Sequence, residues 1–219
     1  MVIDIKMCLF IGLIFTVIWG CEERPTNILI GDKAFKIVAP QDFCLDKVGY
    51  PISEEQLGQY RSMAEYGINI YAVYKRCDNV VNKVALLGIP ERMADKSYLD
   101  SQEAFAKSMK EEFLKSSPDE IKVYDDLATG TVRENIPSIN DIKGGNFSRV
   151  ESDKLAAYFE RQMTVSLIGL GKQDWTVNGA ISMIKGKPFM FILAQESDET
   201  DRLIRGALRA WVKRMDDIN

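Results

Sequence analysis

Not one of the 219 residues is a histidine. The commonest general base and the commonest neutral metal ligand are therefore both missing, which excludes Ser-His-Asp and Cys-His catalysis and every histidine-based zinc site. A charge excess is missing too. The 28 basic residues stand against 32 acidic ones, for a formal net charge of −4, so the basic footprint that neutralises phosphates is absent and no nucleic-acid partner is expected. No Gly-rich phosphate loop occurs either: Gly169-Leu170-Gly171-Lys172 lacks the spacing of a dinucleotide or Walker signature and reads as a turn. Asp125-Asp126 and Asp216-Asp217 are sequence neighbours that do not face each other on a helix or strand, which leaves no acid/base couple. The expected sets of catalytic residues, metal ligands and cofactors are accordingly empty.

What is present begins at the N-terminus. Met7 to Gly20 is uncharged and apolar, preceded by Lys6 and followed at once by Cys21-Glu22-Glu23-Arg24. A spanning helix needs about 20 apolar residues and the core of an export signal about 7 to 15, so this run reads as a signal. Ile18-Trp19-Gly20-Cys21 resembles the lipobox of bacterial lipoproteins, with an aliphatic residue three before the cysteine and a small one directly before it. Trp19 departs from the small residue usual at its position. The resemblance implies that residues 1–20 are removed, that Cys21 becomes the diacylated first residue, and that residues 21–26 form a tether on the periplasmic or cell-surface side of a membrane. Two acyl chains anchor stably where one gives only marginal binding. Cleavage after Gly20 without lipidation and an uncleaved anchor are the alternatives.

Of four cysteines, Cys8 lies in the leader and Cys21 is the expected lipid attachment, which leaves Cys44 and Cys77. An even pair in an exported chain is expected to form a disulfide, worth about 3 to 4 kcal/mol for a loop of this length, the alternative being two buried thiols.

Residues 27–219, with 46% hydrophobic composition in the whole chain, suit one domain. Gly31-Asp32 between two apolar runs predicts a hairpin. Ser53-Glu54-Glu55-Gln56 has the form of a capping box and predicts a short helix toward Tyr66. Ile68 to Tyr74 and Val80 to Ile89 read as strands. Phe105, Met109 and Phe113 share one face of a helix capped by Asp100 or Ser101. Asp119 to Val150, with Pro137, Gly144 and Gly145, reads as a long connection and a candidate contact site. Met163 to Leu170, Trp175 to Met183 and Phe189 to Ala194 read as strands, the last two turning at Lys185-Gly186-Lys187. Ile204, Leu208, Trp211 and Met215 form the stripe of a final helix, with Arg205 and Arg209 expected on its opposite, tolerant side.

This order predicts an α+β domain, an antiparallel sheet with packed helices and a C-terminal β-hairpin followed by a long helix. It loosely resembles the PsbP- and Mog1-like α/β/α sandwiches, a likeness that implies a fold and no functional residue. The expected function is that of an envelope lipoprotein, membrane-bound through its lipid and acting as a binding or accessory module on an envelope protein. The alternative is a histidine-free hydrolase drawing on Ser166, Ser182 and Lys185, which no motif joins.

Overall fold

The structure, a computed structural model, describes residues 25–45, 68–77, 83–90, 93, 98, 100–116, 139–167, 171–197 and 201–219. Its elements are strands β1 (Thr26–Ile30), β2 (Lys33–Ile37), β3 (Phe43–Leu45), β4 (Ile68–Arg76) and β5 (Lys83–Pro90), helix α1 (Gln102–Lys115), strands β6 (Ile139–Ser152), β7 (Ala156–Leu167), β8 (Gly171–Ile184) and β9 (Lys187–Glu196), and helix α2 (Asp201–Asp217). Seven strands form one sheet in the order β3-β4-β5-β9-β8-β7-β6, every neighbouring pair antiparallel. β1 and β2 form a separate hairpin.

The α+β class expected from the sequence is corrected by this arrangement. The described residues are mostly strand, with a large antiparallel sheet and two helices, so the fold is predominantly β. The largest source of the difference is the supposed connection before Val150, of which residues 139–152 are a 14-residue strand. Its register against β7 shifts at Ile139/Asp141, Gly144/Phe147 and Phe147/Arg149. Each irregularity breaks the alternation of inward and outward side chains by which a half-buried strand is read from a sequence. The helix predicted after Ser53 lies outside the described residues.

Turn chemistry explains the hairpins. Gly31 alone of its pair has a positive φ, 62°, the pattern of a type II′ turn, whereas Lys185 and Gly186 both do, at 49° and 77°, as a type I′ turn requires. Each matches the twist of the flanking strands.

The two helices divide the two faces of the sheet. α1 starts at Ser101, whose hydroxyl accepts a hydrogen bond from the Ala104 N–H at 3.2 Å, and buries Phe105 and Ala106. Phe105 packs with Ala157, Ile181 and Met183, and Phe113 completes a ring cluster with Phe147 and Phe159. The Phe159 ring lies directly over Gly179, its cross-strand partner, where any β-carbon would collide with it. α2 covers the other face, where Ile204, Leu208, Trp211 and Met215 are all buried with Tyr74, Leu87, Phe189, Phe191 and Leu193. On β8 the helix meets Ala180 and Ile184. The apolar set Ile181 and Met183 faces α1 instead. The expected docking of the final helix onto the hairpin is thus seen, but on the β8 face that reads as the more polar one. β9 decides this, because its Phe189, Phe191 and Leu193 carry the apolar surface for both strands.

Trp211 is 1% exposed, and its indole N–H donates to the Val38 carbonyl at 2.7 Å. Its ring meets Phe191 and Tyr74 edge to face at 5.0 and 5.8 Å. Truncation of a buried tryptophan typically costs about 3–5 kcal/mol, here with an orphaned carbonyl in addition. Chemical denaturation of Trp211→Ala should therefore show a loss of about that size. Leu29→Ala, at a side chain 69% exposed, should stay within about 0.5 kcal/mol. Comparable effects of the two would refute this account of the core.

Candidate functional site

Helical spacing puts Arg205 and Arg209 one turn apart on α2, beside the buried stripe. They do not point to open solvent as the sequence reading expected. Arg205 reaches Glu160 of β7, Nη1 to Oε2 at 2.9 Å, with side chains only 26% and 12% exposed. Arg209 holds two carboxylates, Glu151 of β6 at 2.7 Å and Asp153 at 3.0 Å, the latter in the turn between β6 and β7. Its guanidinium also lies 4.4 Å from the centre of the Tyr158 ring. The sheet register brings the acceptors together, because Glu151 pairs with Tyr158, Arg149 with Glu160, and Glu160 with Asn178. All of these residues stand on the face that α2 covers.

Between this end of α2 and strands β6 to β8 runs an open cleft of about 280 Å³, lined by Arg149, Glu151, Tyr158, Glu160, Arg205 and Arg209, with Asn178 and Leu208 among its other walls. Burial and then the adjacent Asp153 carboxylate push the Tyr158 phenol well above its ordinary pKa. It therefore stays protonated and serves as a hydrogen-bond donor. Arg149 reaches Glu151 only at 3.5 Å, the longest of these contacts.

Asn178 is the unusual member of the set. It is 1% exposed, yet its Nδ2 has no hydrogen-bond partner among the described residues. The neighbouring carboxylate does not serve it: Glu160 Oε1 takes the Ser148 hydroxyl at 3.2 Å and Oε2 takes Arg205. A buried donor without an acceptor costs about 1–3 kcal/mol, so this amide is poised for one.

The residues singled out by sequence fall elsewhere. Cys21 lies outside the described residues. Cys44 on β3 and Cys77 after β4 have sulfurs at bonding distance and Cα atoms 4.9 Å apart, across the far edge of the sheet from the cleft. Ser182 is buried, and its hydroxyl donates to the Leu155 carbonyl at 2.7 Å and receives the Gln102 amide at 3.2 Å, a structural engagement. Lys185 sits in the β8–β9 turn and donates to the Ala34 carbonyl at 3.3 Å. Ser166 stands toward the other end of that sheet, on β7. These three are not brought together. Among the described residues no cluster of three or more metal-ligating side chains occurs. No helix described is long and apolar enough to cross a membrane.

The charged cleft itself escaped the sequence reading, because its members come from β6, β7, β8 and α2, more than 50 residues apart at the extremes, as in the pair Arg209 and Glu151. The one local signal was the i, i+4 spacing of Arg205 and Arg209, which equally describes a solvated helix face.

No protein-family model matches the chain, and no curated protein matches it. Among solved structures it is weakly similar to the Ran-binding protein Mog1p of Saccharomyces cerevisiae, with 11% identity over 89% of this chain and 91% of that one and a TM-score of 0.32.

Arg209 makes two carboxylate contacts and one ring contact, which together amount to about 1–2 kcal/mol for a side chain 42% exposed. Arg209→Ala should lose about that much stability in denaturant titration. Lys213→Ala removes only the exposed i, i+4 pair with Asp217 at 2.7 Å and should lose at most about 0.5 kcal/mol. If Arg209→Ala were no worse than Lys213→Ala, the cluster would not hold the helix.

Proposed function

We propose that the protein is an exported lipoprotein, held on the outer side of a membrane through Cys21, and that its folded part is a binding or accessory module for an envelope protein. The carrying observation is the Cys44 and Cys77 pair with its Cα separation of 4.9 Å, inside the span of about 4.4–6.8 Å that a disulfide needs. Disulfides persist in oxidising compartments and are rare in the cytosol, so this geometry agrees with the export signal read in residues 1–20. The lipobox-like Ile18-Trp19-Gly20-Cys21 supplies the membrane attachment in this reading. The binding role is supported by the cleft, an open, charged groove with a polar group left unpaired in its wall.

Two measurements test the two halves of the location. Intact mass of the membrane-extracted protein should show loss of residues 1–20 and gain of acyl mass, and Cys21→Ser should move the protein to the soluble fraction. Retention of the leader would overturn the lipid anchor. In the second, thiol alkylation of the denatured but unreduced protein should leave Cys44 and Cys77 unmodified. Labelling of both without reductant would overturn the bond and the compartment inferred from it.

A further inference from the structure

The cleft has a shape and a set of unmet valences that point to a particular occupant. Three arginines line it against two carboxylates, Glu151 and Glu160, while Asp153 holds Arg209 from the β6–β7 turn. Among the described residues Arg149 is the least engaged of these cations, with one carboxylate contact at 3.5 Å to an oxygen of Glu151, whose other oxygen is held by Arg209. Arg205 contacts Glu160 through one nitrogen, and a guanidinium has five N–H donors. Arg149, Glu160 and Asn178 occupy one row across β6, β7 and β8, so the loosely held guanidinium and the unpartnered Asn178 Nδ2 flank the same strip of sheet. Among the described residues, Asn178 Nδ2 has no acceptor and Arg149 holds one only at 3.5 Å.

An uncharged carbonyl could accept from either group, but an oxyanion has two acceptor atoms to serve both and gains the stronger charge-assisted bonds that arginine forms to carboxylates. Size narrows the choice further. The volume of about 280 Å³ includes the open mouth; the enclosed space is only about 20 Å³, room for a head group little larger than one water, with the stem left in the mouth. The cleft admits one functional group with a short stem. Tyr158 and Leu208 offer that stem apolar walls, as the methylenes of an acidic side chain require.

We propose that this cleft is a recognition site for a single carboxylate presented by a polypeptide, either an acidic side chain or a chain terminus. The carboxylate accepts from Asn178 Nδ2 and from the arginine donors left over by Glu151 and Glu160. This proposal rests on the reading of the protein as a binding module, and names the chemistry its partner must carry. It does not depend on the lipid or the disulfide, whose failure would be seen separately in the mass and alkylation measurements.

The test is a nuclear magnetic resonance titration of the isotopically labelled full chain in detergent, following the side-chain amide of Asn178, assigned by its disappearance in Asn178→Leu. Three probes are used: N-acetylglutamate N-methylamide for a side-chain carboxylate, N-acetylglycine for a chain terminus, and N-acetylglutamine N-methylamide as the neutral control. A saturable shift of the Asn178 amide with a carboxylate probe and none with the control is expected, and whichever carboxylate binds more tightly identifies the source. Arg149→Gln, at a side chain 49% exposed, should leave the fold intact and weaken that probe by up to about five-fold. Should Asn178→Leu fail to fold, the control probe and Arg149→Gln still decide. No saturable shift with either carboxylate, an equal shift with the neutral probe, or an affinity indifferent to Arg149→Gln would overturn the proposal.

Discussion

The whole arrangement hangs on the seating of Trp211. One side chain joins three parts of the molecule that the chain order keeps apart: α2, which carries it; the sheet, through Phe191 and Tyr74; and the segment after the β1–β2 hairpin, through the Val38 carbonyl. Its indole N–H would be a liability in an apolar core without that acceptor, and Val38 is buried enough that its carbonyl would be one as well. Each satisfies the other. Two residues before Val38, β2 is held by the Asn219 side chain, which accepts from the Lys36 N–H at 2.9 Å and donates to the Lys36 carbonyl at 2.8 Å. The C-terminal end of the chain thus fixes β2 at Lys36 and the segment just after it at Val38, and Phe35, the residue before Lys36, packs into the core at 5.0 Å from Phe189.

A sheet covered on both faces has no solvated side on which to place its polar residues, and β8 shows how the conflict is resolved. Thr176, Asn178 and Ser182 are all buried on the α2 face. Ser182 is absorbed by Leu155 and Gln102, and Thr176 by Gln162 and Ser197. Only Asn178 is left with a donor unmatched among these three. Asn178 also lines the wall of the open groove, and that placement makes it a candidate site.

Legibility in the sequence followed the length scale of each signal. The β8–β9 hairpin and α2 were legible because Lys185-Gly186 supplies the turn and Ile204, Leu208, Trp211 and Met215 supply an unbroken helical stripe, both local patterns. α1 was legible for the same reason, from Ser101 to Phe113. β6 was not, since three register shifts remove its alternation, and the predominance of strand was underestimated with it. The choice of faces was not legible either, because β8 reads amphipathic with Ile181 and Met183 inward, whereas both of its sides are covered and β9 determines where α2 goes. The cleft was the least legible, for the ion pairs that α2 makes in it join residues 45 to 58 positions apart. Nothing in composition or periodicity reports such pairs.

The same helix carries the core and one wall of the cleft, and this geometry couples them. Leu208 lines the cleft and belongs to the buried stripe, while Arg205 and Arg209 on either side of it hold the carboxylates of β6 and β7. Any slip of α2 along its axis would expose Trp211 and separate both arginines from their partners at once, so the width of the cleft is set by the packing of the core. The Cys44 and Cys77 pair is differently placed, at β3 and β4, with β5 and β9 between it and the strands of the cleft. A cross-link acts mainly by restricting the unfolded chain. Its loss should therefore lower the stability of the whole while leaving the spacing of Arg149, Arg205 and Asn178 unchanged, because that spacing is fixed by strand register and by the seating of Trp211 rather than by the opposite edge of the sheet.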